Sequence, residues 1–136
     1  MEAKLKHLEM IQAIVTRMAS NSFWLKGWSL TLVAALLGLF TEKAGAFYPL
    51  IAAFLCCIMF WVLDGFFLRQ ERLFRALYND VAKKQPEDID FSMDTRPYRT
   101  QAGSWARVCV RTTLALFHGV VLASILALLV FALRDI

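Results

Sequence analysis

The sequence lacks the short motifs that mark most enzymes. It has no glycine-rich phosphate loop, no HExxH motif and no nucleophile elbow. Its two histidines, His7 and His118, cannot hold a metal ion without help from another copy of the chain, and we expect no metal and no other cofactor. Its three cysteines are an odd number without metal-ligand spacing, so we expect reduced thiols. These absences favour a protein that is not an enzyme.

Apolar residues are what the sequence has in excess. They make up 59% of the 136 residues, against about 45–50% in soluble domains. A soluble fold of this size cannot bury so much apolar surface, because most of a small domain lies near its boundary. The apolar residues are also gathered into blocks. The composition therefore predicts an integral membrane protein, with the lipid bilayer as its first partner.

Three blocks are long enough to cross a bilayer. They predict spans at residues 23–40, 46–68 and 110–133, since about 20 apolar residues cross the hydrocarbon layer. A polar turn at 41–45 joins the first two. The first block resembles a secretory signal, because Ala44-Gly45-Ala46 has the form of a cleavage site. We expect no cleavage, because the preceding segment is too long and carries acidic residues.

Two further segments have apolar residues at helical spacing. Residues 2–22 predict an amphipathic helix that lies in the membrane interface or packs on another helix, and Asn21-Ser22 either caps a new helix or lets the first one continue. Residues 69–84 predict a helical extension of the second span. Residues 85–104 predict an irregular stretch, because Pro86, Pro97 and Gly103 interrupt helices.

The distribution of Lys and Arg predicts the orientation. The N-terminal arm with Lys26 carries four and the segment 69–111 carries nine, whereas the 41–45 turn and the C-terminal tail carry one each. Cytoplasmic loops carry the excess of basic residues. We therefore expect the N terminus and residues 69–111 in the cytoplasm and the C terminus outside.

Together these patterns predict an all-α membrane protein with three transmembrane helices. Its segments are an amphipathic cytoplasmic or interfacial helix at 1–22, a hairpin of two spans at 23–68, a cytoplasmic helix and basic loop at 69–109, and the third span with a short external tail at 110–136. Three spans are too few to enclose a pore in one subunit, so any pore requires a homo-oligomer.

The basic and aromatic residues of the cytoplasmic segment are candidates for binding an anionic ligand. Guanidinium groups bind phosphates and aromatic rings stack on bases. The alternative is charge that only sets the orientation and contacts lipid headgroups. The candidates are Arg69, Arg72, Arg75, Arg96, Tyr98, Arg99, Trp105, Arg107 and Arg111.

Three residues of the third span are candidates for a pore or gate: His118, Ser124 and Thr113. Ionisable groups inside membranes usually face a bundle interior, a pore or a partner. The alternative for His118 is a neutral imidazole that is hydrogen-bonded to a neighbouring helix. Ser124 and Thr113 are suited equally to helix–helix contacts. For Asp64 we expect an ion pair with Arg69 or with a basic residue of the N-terminal arm.

Several stretches of the sequence resemble a known family. The chain resembles small bacterial transmembrane effectors of anti-phage defence, in particular those of the Hailong system. The residues that carry the resemblance are 10–23, Leu25-Lys26-Gly27-Trp28, 31–35, Phe60-Trp61, Asp64, 67–75 and Asp90–Asp94. The resemblance covers about residues 8–95. It implies a homo-oligomeric ion channel of the bacterial inner membrane. It further implies that short DNA oligomers, made by a partner nucleotidyltransferase, hold the channel shut until infection opens it and depolarises the cell.

The sequence thus supports two main hypotheses, beside a third in which the chain is a lipid-handling subunit of an enzyme complex. The first is an oligomeric channel controlled by an anionic nucleotide or oligonucleotide at its cytoplasmic face. The second is a non-conducting membrane anchor or adaptor that docks a soluble partner protein. Both explain an amphipathic arm next to a basic helix.

Overall fold

The computed structural model describes residues 1–38 and 47–134. Over these residues the chain is helical and contains no strand, which confirms the predicted all-α class. The predicted 41–45 turn lies outside the described residues, as do positions 39, 40 and 46 of the predicted spans and residues 135–136 of the predicted tail.

Within this part of the chain there are five α-helices. They are α1 (Glu2–Gly38), α2 (Phe47–Lys83), α3 (Arg99–Ala102), α4 (Trp105–Cys109) and α5 (Thr112–Arg134). Helix α1 continues through Asn21-Ser22, so no new cap forms there. Helix α2 runs to Lys83, which confirms the predicted extension of the second span.

The segment at 85–104 is less irregular than predicted. It contains two 3-10 turns, Pro86–Asp88 and Arg96–Tyr98, and the short helix α3 at Arg99–Ala102. The prediction was wrong there because no helix breaker lies between Pro97 and Gly103. Gly103 then ends α3 at a φ of 80°, a left-handed conformation that glycine adopts without steric cost.

Two helices, α2 and α5, are long and apolar enough to cross a bilayer. They correspond to the predicted second and third spans. The predicted first span at 23–40 falls partly outside the described residues and stays a prediction.

The chain divides into two compact units. The first, called here the polar unit, comprises Met1–Ser22 and Gly65–Val108. It carries eleven of the fifteen basic residues and eight of the eleven acidic ones. The second, called here the apolar unit, comprises Phe23–Asp64 and Cys109–Ile136. Most of the charged residues thus lie in one unit, and the apolar blocks lie in the other.

The core of the polar unit joins the two predicted amphipathic faces. Ile11 and Val15 of α1 pack on Leu77 and Val81 of α2, and all four are almost fully buried. Each pair is spaced i, i+4, which puts its members on one side of a helix. The amphipathic arm therefore packs on α2, one of the two arrangements that its sequence predicts.

The apolar unit has a core of its own, contributed by three helices. Val33 of α1 packs with Leu50, Ala53 and Cys57 of α2 and with Ile125 of α5. Partly buried residues, five of them leucines, surround this cluster. The three cysteines of the chain are all free, as predicted.

Candidate functional site

A basic cleft lies at the surface of the polar unit. It has a volume of about 360 Å³. Three arginines line it, each from a different helix, together with a threonine, a serine and a glycine. The lining residues are Arg69, Arg99, Thr100, Gly103, Ser104 and Arg107. This group is called the arginine cleft below.

The backbone at Gly103 shapes the arginine cleft. Its carbonyl oxygen accepts a hydrogen bond from Nε of Arg69 at 3.1 Å, although the two residues are 34 positions apart. Next to it, the hydroxyl of Ser104 accepts a hydrogen bond from the backbone N–H of Arg107 at 3.3 Å and so caps α4. The left-handed turn at Gly103 and these two bonds fix the backbone around which the three arginines lie.

The arginine cleft is suited to an anion with several oxygen atoms. Arginine stays charged at physiological pH and presents a planar fork of donors that matches phosphate or carboxylate. Thr100 and Ser104 line the same cleft. No group of three or more His, Cys, Asp or Glu side chains that could hold a metal ion occurs in residues 1–38 and 47–134.

The structure brings only three of the nine predicted ligand-binding residues into the arginine cleft: Arg69, Arg99 and Arg107. Arg75 is paired with Glu71 at 2.8 Å, and Arg96 forms a forked contact with Asp94. The remaining predicted residues, Arg72, Tyr98, Trp105 and Arg111, do not line the cleft. Thr100, Gly103 and Ser104 were missed, because no sequence pattern indicates which backbone atoms and hydroxyls a glycine turn brings together.

A second feature of the polar unit is the segment 89–98, called here the strap. Ile89, Met93 and Tyr98 of the strap pack on the unit's apolar core. The phenol of Tyr98 donates a hydrogen bond to Asp80 at 2.9 Å. Burial, followed by this hydrogen bond, raises the pKa of Tyr98 to about 12. The strap is therefore held by both apolar packing and polar contacts.

His7 ties the strap to α1. Its side chain is fully buried, and its Nε2 lies 3.0 Å from the carbonyl oxygen of Ser92. Its ring lies 5.4 Å from that of Phe91, which has a φ of 53°, a strained value for a residue other than glycine. The sequence held one signal for this role, since His7, Ile11 and Val15 share a face of α1 at i, i+4, i+8.

Three ionisable side chains meet inside the apolar unit. Lys26 of α1 pairs with Oδ2 of Asp64, and Nε2 of His118 lies 2.9 Å from the same oxygen. Asp64 and His118 are fully buried, while Lys26 is 24% exposed. The expected partner of Asp64 in the N-terminal arm is thus Lys26. The alternative given for His118, a hydrogen bond to a neighbouring helix, is what the structure contains.

The structure separates the three pore candidates. Thr113 and Ser124 are both exposed, whereas His118 is buried. At 3.6 residues per turn, Thr113 and Ser124 lie within about 20° of each other around α5 and His118 is turned away by roughly 120–140°. The hydroxyl of Ser124 donates to the carbonyl oxygen of Val120 at 2.9 Å. His118 therefore faces the interior of the unit, and the other two residues share an outward face.

Comparison with protein-family models, curated proteins and solved structures finds no match to this chain.

Proposed function

We propose that this chain is a homo-oligomeric ion channel of the bacterial inner membrane, controlled from the cytoplasm by an anionic nucleotide or short DNA oligomer, and that it acts as an effector in anti-phage defence. It binds and conducts rather than catalyses. The observation that carries the proposal is the arginine cleft, where Arg69, Arg99 and Arg107 converge. The defence role and the ligand class follow from the family that the sequence resembles.

The apolar surface of the chain supports its place in a bilayer. Only 28% of the apolar window of α2 and 17% of that of α5 are buried within the chain, whereas the core helix of a soluble protein would be mostly covered. Trp24, Trp28 and Leu55 are each at least 60% exposed. Such a surface is stable in lipid and prone to aggregate in water.

We propose that residues 23–40 also cross the bilayer, as the first of three spans. Their described part packs on both apolar helices through Val33, and Lys26 meets Asp64 inside the apolar unit. A Lys close to the end of a span can reach the headgroup region with its ammonium group. The positive-inside rule then assigns the polar unit, with eleven basic residues, to the cytoplasm.

The pore is proposed to lie between subunits. The core of the apolar unit is filled by Val33, Leu50 and Ile125, which are at most 3% exposed, so conduction has to follow an axis shared by several copies. A ligand in the arginine cleft can close the channel only by binding the closed state more tightly than the open one. A partner nucleotidyltransferase would supply that ligand, as the resemblance implies.

Current across planar bilayers tests this proposal. The purified full-length chain should conduct without ligand, and short oligodeoxynucleotides should suppress the current. Arg99→Gln should weaken this suppression at least about tenfold, since a guanidinium–phosphate contact contributes about 1.5–3 kcal/mol.

Arg96→Gln is the matched control, because it removes the same charge three residues away from a side chain that Asp94 already holds. It should leave suppression unchanged. A monomer without conductance, recovered with a stoichiometric soluble protein, would replace the channel by the membrane anchor or adaptor.

A further inference from the structure

The cluster of Lys26, Asp64 and His118 in the apolar unit is not explained by ligand control at the arginine cleft. We infer that this cluster is a proton-binding site, and that Nδ1 of His118 is the atom that takes up the proton. The inference concerns the chemistry of the apolar unit alone. Only its consequence for conduction rests on the channel function proposed above.

The hydrogen bond to Asp64 decides which nitrogen of His118 is free. A carboxylate oxygen only accepts, so Nε2 of the neutral ring carries the hydrogen and donates it to Oδ2 of Asp64 over 2.9 Å. Nδ1 then holds a lone pair. It is buried and has no hydrogen-bond partner among the described residues. A proton from water can form an N–H bond only at this atom, which converts the ring to an imidazolium.

Two neighbours favour a positive ring. The Asp64 carboxylate would face the imidazolium directly. The indole of Trp61 stacks on the imidazole with centroids 5.8 Å apart and an angle of 14° between the planes, a geometry in which an aromatic face attracts a cation. Trp61 is held in place because its Nε1 donates to the carbonyl oxygen of Cys109 at 2.9 Å.

The other groups around His118 oppose or tune the uptake. Lys26 already neutralises Asp64, so an added proton gives the cluster a net positive charge in an apolar unit. The thiol of Cys57 donates to the backbone carbonyl of His118 at 3.7 Å. Burial, followed by the charge of Asp64, raises the pKa of the Cys109 thiol. Both thiols are uncharged in their ordinary form. Asp64 and Trp61 thus stabilise the protonated ring of His118, whereas Lys26 and burial destabilise it.

Proton uptake requires a rearrangement around Nδ1 of His118. In the present arrangement a new N–H at Nδ1 would find no acceptor among the described residues, and a buried donor without an acceptor is unstable. A protonated His118 therefore favours a second arrangement in which Nδ1 donates a hydrogen bond to water or to a hydroxyl group. Ser29, one turn along α1 from Lys26, is fully buried and its hydroxyl also lacks a partner in the described part of the chain.

The direction of the pH effect follows from this linkage. The rearranged state binds one more proton, so a fall in pH increases its population. If the chain conducts, acidification should therefore change the probability of conduction independently of the ligand at the arginine cleft. Acid and ligand would then act on separate units of the same chain.

Nitrogen-15 NMR of the histidine rings tests the site directly, because the chain has only two histidines. The full-length protein, labelled at histidine in detergent micelles, is titrated from about pH 8 to about pH 5. His7→Gln isolates the signals of His118, and His118→Gln assigns them independently should the first variant not fold. We expect hydrogen at Nε2 and a bare Nδ1 at the upper pH, and reversible protonation of Nδ1 on acidification.

Asp64→Asn removes the negative charge in contact with Nε2 of His118 and should therefore move the midpoint of this titration. Asp88→Asn, which removes an exposed carboxylate of the polar unit, should not move it. Hydrogen at Nδ1 at the upper pH, an absence of titration, or a midpoint insensitive to Asp64→Asn would each overturn the inference. None of these measurements depends on conductance. If His118 titrates in a chain that carries no current, the proton-binding site is supported and only the channel function is refuted.

Discussion

The ion pair inside the apolar unit makes a quantitative prediction about stability. Asp64 is fully buried and accepts contacts from both Lys26 and His118. Removing one partner of a fully buried pair costs about 3–5 kcal/mol, because the other charge stays buried without its counterion. Lys26 is 24% exposed and can turn partly toward water. We therefore expect Asp64→Asn, which keeps the size of the side chain, to lower the free energy of unfolding by about 2 kcal/mol.

A second variant separates charge from packing. Lys26→Met together with Asp64→Asn removes both charges and keeps two side chains of similar length. Replacing a buried pair by uncharged groups is often close to neutral, so the double variant should recover to within about 1 kcal/mol of the wild type.

The assay is reversible unfolding of the full-length chain in mixed micelles, followed by circular dichroism. Asp88→Asn is the control for loss of a carboxylate elsewhere. The account of this cluster is refuted if Asp64→Asn costs less than about 0.5 kcal/mol, or if the double variant is no more stable than Asp64→Asn alone.

Three further predictions concern the polar unit. The pKa of Tyr98 is raised by burial and by Asp80 to about 12, so the strap should be fully stabilised below the ordinary value of about 10 and should loosen as the pH rises through about 12. Tyr98→Phe should remove this pH dependence and speed amide exchange in the strap about fivefold, the effect of losing roughly 1 kcal/mol. Lys4→Met should speed amide exchange at the end of α2, because Nζ of Lys4 donates to the carbonyl oxygens of Ala82 and Lys84 at 2.8 Å each. Gly103→Ala should cost about 1 kcal/mol and weaken oligonucleotide binding in a fluorescence titration, because φ is 80° while the nearest atom to an added Cβ is 3.9 Å away.

Each of these predictions has a clear contrary result. Unchanged exchange in the strap of Tyr98→Phe would mean that apolar packing alone holds it. Unchanged exchange at the end of α2 in Lys4→Met would mean that water satisfies those carbonyls equally well. If the Gly103→Ala variant binds oligonucleotide as tightly as the wild type, the ligand site does not depend on the turn at Gly103.

Helices and their apolar faces follow from local patterns, and these were predicted well. The extension of α2 was visible because Leu73, Leu77 and Val81 recur at i, i+4, i+8, and all three are buried. The ends of α5 lie within two residues of the predicted third span. In such segments the residues that decide the structure are close together in the sequence.

The sites were predicted less well, because they depend on contacts between distant residues. The bond between His7 and Ser92 joins positions 85 apart, and that between Arg69 and Gly103 joins positions 34 apart. The charge of Arg96 was visible in the sequence, but its capture by Asp94 two residues earlier was not predicted. Arginines that form one basic cluster in the sequence therefore differ in the structure. Some are paired with nearby acidic residues, and others line the arginine cleft.

Sided addition of ligand during current recording tests the central proposal most directly. The full-length chain is inserted in one orientation, which is verified by protease cleavage of the strap, and short oligodeoxynucleotides are added to one face of the bilayer at a time. The proposal predicts conduction without ligand, suppression from the face that carries the strap, and no effect from the other. Suppression from the opposite face, or equal suppression of the Arg99→Gln and wild-type channels, would contradict control through the arginine cleft.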